Sequence, residues 1–194
     1  MLTSQIEKLA NSLIEQEHCG LENKEILVYG LSSAVELGLN IFSTIIVGAM
    51  FGMTIEGIIF LVSFSLLRTY AGGYHARTAG RCYFVSVLVV VAVLLVQRYQ
   101  MIGTAGYVLL LLVAVPIIWR FTPLEDENKP LDEVETRVYR KKTLYLLALE
   151  FAIMIVGYCL TWQSLFQSIA LAIVTVAFSL LLGAVKNTLQ SRKG

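Results

Sequence analysis

The sequence predicts an all-α, polytopic membrane protein: six transmembrane helices preceded by an amphipathic helix. Three observations carry this. The 194 residues are 57% hydrophobic with a mean hydropathy of +0.72. Only 15% are charged, against about 25% in an ordinary soluble domain. Apolar runs at 28–51, 54–71, 83–98, 101–119, 144–161 and 164–185 approach the ~20 residues that cross a bilayer as a helix. A single membrane domain over 1–194 follows, with no second soluble domain.

The first twenty residues do not read as a cleavable signal peptide, since polar residues and both signs of charge are mixed from the start. Ser4 and Glu7 have capping-box spacing. Ile6, Leu9, Leu13 and Ile14 share one helical face, with Glu7, Lys8, Asn11 and Glu15 largely opposite. This is either an interfacial amphipathic helix at 1–20 or a soluble cap helix. The first span is long. The second and third have short apolar cores, and neither crosses a ~30 Å hydrocarbon layer comfortably at about 1.5 Å per residue. The 68–82 segment between them can therefore enter the membrane as a buried loop, with Gly72, Gly73 and Gly80 permitting the bends. The 120–143 stretch, with Pro123, Pro130 and the run Glu125-Asp126-Glu127, reads as a loop. No internal repeat is evident, which disfavours an inverted-repeat transporter.

Net charge is only +1, so overall electrostatics suggests no nucleic-acid partner. The placement of positive charge says more. With six spans and both termini inside, 14 of the 15 Lys and Arg residues fall on the inner side, and Arg98 alone falls outside. Positive residues gather in cytoplasmic loops, so both termini and the 68–82 and 120–143 segments are expected in the cytoplasm. Three acids lie in or near spans. Glu56 reads as a solvated end. Glu36 and Glu150 are deeper, and either pair with a base such as Arg68 or stay protonated.

Cys19, Cys82 and Cys159 form no disulfide framework. Adjacent His18 and Cys19 rarely face one another on a helix, and Cys159 is expected to pack. The stretch from Arg68 to Cys82 is different. It holds His75, Cys82, Arg68, Arg77, Arg81 and three glycines between two apolar runs. An imidazole can take a thiol proton, and neighbouring positive charge favours a nucleophilic thiolate. On one straight helix, seven residues separate His75 from Cys82 by about 10.5 Å of rise, whereas proton transfer needs about 2.6–3.2 Å. A direct dyad therefore requires a break near Gly72-Gly73, near Gly80, or both. A lipid-headgroup or interface loop is the competing reading. Zinc binding fits poorly, because no further His or Cys has ligand spacing nearby.

Arg68, then Gly72-Gly73-Tyr74-His75-Ala76, then Cys82 seven residues after the histidine resembles the signature of the accessory gene regulator B (AgrB) peptidases. The loop at 123–131, with Asn128-Lys129-Pro130-Leu131, resembles that family's loop after the fourth span. The likeness covers essentially the whole chain. It implies a cysteine endopeptidase of the bacterial cell membrane, with Cys82 as nucleophile and His75 as general base and no cofactor. Arg68 and Gly73 match positions that members need for activity, and Arg140, Lys141 and Lys142 match a basic cluster more loosely. The implied partner is an AgrD-type propeptide with an acidic tail, for which Arg68, Arg77, Arg81 and the basic residues of 137–142 would supply counter-charge. A homodimer is also implied. No acid near His75 offers itself as a third catalytic group. The alternatives from other classes are a peptide transporter and a non-catalytic membrane sensor or scaffold. Cys82→Ser separates them, since transport can survive it and thiolate chemistry cannot.

Overall fold

The computed structural model describes residues 24–74, 79–125 and 131–191. The amphipathic helix expected at 1–20 lies outside the described residues, as do His75, Arg77, Cys19 and the sequence Asn128-Lys129-Pro130. The chain separates into two compact units, residues 1–43 and 44–194.

The described residues form six helices: α1 (Lys24–Phe51), α2 (Thr54–Ala71), α3 (Ala79–Arg98), α4 (Thr104–Phe121), α5 (Glu133–Cys159) and α6 (Gln163–Ser191). Each contains a stretch long and apolar enough to cross a membrane, so the protein is a multi-pass membrane protein. No strand occurs among the described residues, only one isolated parallel bridge between Gly72 and Leu124. Of unit 1 the structure describes the first part of α1, where Asn40 Nδ2 donates to the Glu36 carbonyl at 3.0 Å.

In unit 2 the core is built around α6. Its Ile169, Ala170, Ala172, Ile173, Val176, Ala177 and Leu180 are buried, and it packs against α2, α3, α4 and α5. Alanine on these turns lets neighbouring backbones approach closely, the usual basis of helix association where lipid removes the hydrophobic drive. Large apolar side chains that stay exposed, such as Leu109, Leu112 and Val113 on α4 or Leu149 and Ile153 on α5, form the face expected to meet lipid.

The two ends of this bundle differ chemically. At one end Phe166 meets Tyr107 edge-on and Tyr158 at a tilt, and a cluster of amides links the end of α3 to α6. Ser168 Oγ donates to Gln97 Oε1 at 3.2 Å, and Gln167 Nε2 donates to Gln100 Oε1 at 2.9 Å. At the other end lie Arg68, Arg120, Lys142 and Lys186, each over an aromatic ring. The chain leaves α4 there through a cis Thr122–Pro123 bond. It enters α5 through a capping box, in which the Asp132 carboxylate accepts from Glu135 N at 2.6 Å.

One open alternative is narrowed and one expectation needs revision. Glu150 is buried on α5, yet neither carboxyl oxygen has a well-formed hydrogen bond among the described residues. Arg68, the base considered for it, directs its guanidinium to Ser179 and Tyr74 instead. Cys159 is exposed at the end of α5 rather than packed, because it falls on the outward side of the last turn beside Tyr158 and Leu160, which are also exposed.

Candidate active site at the basic end

The break between α2 and α3 sits at Gly72-Gly73. The helix ends at Ala71, and Gly72 N closes the last turn on the Arg68 carbonyl at 3.0 Å. Gly72 then takes φ 78° and Gly73 φ 133°, a region that residues with a Cβ rarely enter. Gly80 and Cys82 both lie in α3, whose described residues run from Ala79, four residues before the apolar run.

The turn is fixed from three sides. Leu124 N donates to the Ala71 carbonyl at 2.9 Å, so the chain leaving α4 is pinned to the end of α2. From α6, Tyr74 N donates to the Ser179 carbonyl at 3.0 Å. Arg68 then ties both together: Nη1 donates to Ser179 Oγ and Nη2 to the Tyr74 carbonyl. Further along α6, Asn187 Nδ2 donates to the Glu125 carbonyl at 2.9 Å, and the Lys186 ammonium lies 5.9 Å from the centre of the Tyr74 ring.

Packing explains the glycines. A Cβ on Gly72 would overlap the Leu124 carbonyl oxygen. One on Gly73 would lie 2.6 Å from Ser179 Oγ and 2.8 Å from Arg68 Nη1. One on Gly183 would lie 3.0 Å from Tyr74 N and 2.5 Å from a Leu124 methyl. These three glycines let α2, α6 and the 122–125 chain meet in one place.

The structure thus brings Arg68, Gly72 and Gly73 together, and adds Ser179, Gly183, Leu124 and Asn187, which the sequence reading missed. The small residues Ser179 and Gly183, four apart on an apolar helix, were the available signal. Arg68 ties the turn to α6 here. Cys82 is half-buried with a free thiol, and its carbonyl accepts from Ser86 Oγ at 3.0 Å. Arg81 beside it is exposed. Arg140, Lys141 and Lys142 are exposed on the early turns of α5. Lys142 reaches back to Tyr70, two residues before Gly72, with its ammonium 4.9 Å from the ring centre. No group of three or more His, Cys, Asp or Glu that could hold a metal is present among the described residues.

Comparison with known proteins decides the family. The sequence profile described as accessory gene regulator B matches residues 6–188. The chain belongs to the AgrB family. Among similar proteins, an AgrB-like protein of Clostridium perfringens strain SM101 is 26% identical over 166 residues, covering 79% of this chain and 77% of the relative. A second, from Clostridium perfringens strain 13, is 26% identical over 151 residues, covering 74% and 71%. One from Clostridium acetobutylicum is 26% identical over 185 residues, covering 89% and 88%. No solved structure matches. The AgrB family is involved in processing the AgrD propeptide in quorum sensing.

Proposed function

We propose that this AgrB protein is a membrane cysteine endopeptidase that removes the C-terminal tail of an AgrD-type propeptide and cyclises what remains. The observation that carries the reading is the pinned break at Gly72-Gly73. It ends α2 at Ala71, and Tyr74, the residue before His75, is held on α6 through the Ser179 carbonyl.

In this mechanism His75 takes the proton from Cys82. The Cys82 thiolate attacks the carbonyl preceding the tail. The C–N bond breaks, the proton passes to the departing amine, and a thioester remains on Cys82. An internal Cys or Ser of the substrate then attacks the thioester, giving a thiolactone or lactone and returning the Cys82 thiolate. Water must be kept from the thioester, which a site recessed at the membrane surface achieves. Arg81 and Arg140, with Arg77, supply counter-charge to the acidic tail. The basic end faces the cytoplasm, as the positive-inside rule requires, and both termini lie on that side of the bacterial cell membrane. The enzyme acts as a homodimer.

The test is to trap the acyl-enzyme. Wild-type protein mixed with propeptide in lipid and quenched early shows an added mass equal to the propeptide minus its tail, removed by hydroxylamine. Cys82→Ser shows no thioester adduct. An adduct that persists in Cys82→Ala refutes the assignment of the nucleophile.

A further inference from the structure

A second feature of the basic end is not used by this chemistry. Tyr70, Lys141, Lys142, Tyr145 and Leu146 line a groove of about 310 Å³ between the last turn of α2 and the early turns of α5. Tyr70 stands edge-on to Tyr139 at 5.7 Å between ring centres, and the Lys142 ammonium rests over the Tyr70 face. The floor is therefore aromatic and aliphatic, and among the described residues the two ammonium groups are its only cations.

The groove stands at the top of two outward-facing apolar stripes. On α2, Val62 and Leu66 are exposed and precede Tyr70 at helical spacing of four. On α5, Tyr145, Leu149 and Ile153 are exposed at the same spacing, and Tyr145 is 75% exposed. An occupant that fits has one negative group for the ammonium pair and long apolar chains for the stripes. An acidic peptide tail fits worse. It brings several carboxylates and a row of backbone amides, and the groove walls are side chains with no free backbone donors, since this part of α5 is inside the helix.

We propose that this groove binds one anionic phospholipid, its phosphate held by Lys141 and Lys142 over Tyr70 and its chains lying along Val62, Leu66, Leu149 and Ile153. Interfacial tyrosines and a basic pocket between helices at the positive end of a bundle suit a headgroup of this charge. The inference does not depend on the peptidase reading.

The experiment measures lipid binding to the full-length purified protein by native mass spectrometry. The probes are phosphatidylglycerol and phosphatidylcholine with identical chains, sn-glycerol 3-phosphate, and a soluble acidic peptide. Wild type should retain phosphatidylglycerol in preference to phosphatidylcholine. Lys141→Gln/Lys142→Gln should bind phosphatidylglycerol about 30-fold more weakly, the factor expected for two surface lysines, with phosphatidylcholine unaffected. Arg137→Gln/Arg140→Gln, which removes the same charge from α5 outside the groove, should stay within about threefold of wild type. Tyr70→Leu gives a second route to the site should the lysine variant misfold, and should also lose the preference. Equal binding of the two lipids overturns the proposal, as does equal loss in the lysine and arginine variants. Full competition by glycerol phosphate would make this a soluble phosphate site, and lysine-dependent displacement by the acidic peptide would make it a peptide site. Both results refute the lipid assignment.

Discussion

Replacing Ser179 with alanine should slow peptide cleavage, although Ser179 carries no chemistry. Its hydroxyl is the acceptor for Arg68 Nη1 and lies 3.2 Å from Tyr74 N. The Tyr74 N–H keeps the Ser179 carbonyl at 3.0 Å, so the loss that counts is the charge-assisted bond from Arg68. Bonds to charged groups contribute about 1.5–3 kcal/mol. Taking about 2 kcal/mol, the balance between the held and released forms of the 72–74 turn shifts by about 30-fold. If the released turn leaves His75 out of place, kcat should fall about tenfold or more while KM changes by less than about threefold. The assay is tail release from propeptide by protein in lipid, with Arg68→Gln, Ser179→Ala and the double variant compared as a cycle. Because both side chains serve one tie, their effects should overlap, with a coupling of about 1–2 kcal/mol. Ser179→Ala with wild-type kcat, or strictly additive effects, would refute the claim that Arg68 works through α6.

Other outcomes follow from the same geometry. Gly72→Ala forces a Cβ onto the Leu124 backbone at a φ of 78°, and should cost about 1–3 kcal/mol or more, read as a lower thermal midpoint in detergent; an unchanged midpoint contradicts the packing described. Glu150→Leu removes a buried acid whose oxygens have no well-formed hydrogen bond among the described residues and should raise the thermal midpoint without lowering tail release; a collapse of activity would give Glu150 a part in the chemistry. Cys159→Ser, at an exposed thiol, should leave cleavage unchanged, whereas Cys82→Ser should abolish it; equal activity of the two variants would remove Cys82 from the mechanism.

The spans were legible because bilayer thickness sets a length that an apolar run must meet, and the runs at 54–71 and 164–185 fall within α2 and α6. The break at Gly72-Gly73 was legible from the paired glycines. What the sequence hid was longer in range. Nothing near Arg68 says that its partner is Ser179, more than a hundred residues away, because serine in a span reads as one polar atom among many. Gly80 and Arg81 were hidden for the opposite reason: they look like loop residues, yet both lie in α3. Cys159 was placed in the core by its residue type, and the helix phase put it outside.

The most direct test of the central claim is the intact mass of peptide products from propeptide incubated with wild type, Cys82→Ala and His75→Ala in lipid. The account predicts a free tail and a cyclic product from wild type alone, stopping at partial conversion, because a thioester stores more free energy than the amide it replaces. Uncleaved peptide in all three samples with binding intact, or a cyclic product from Cys82→Ala, would contradict it.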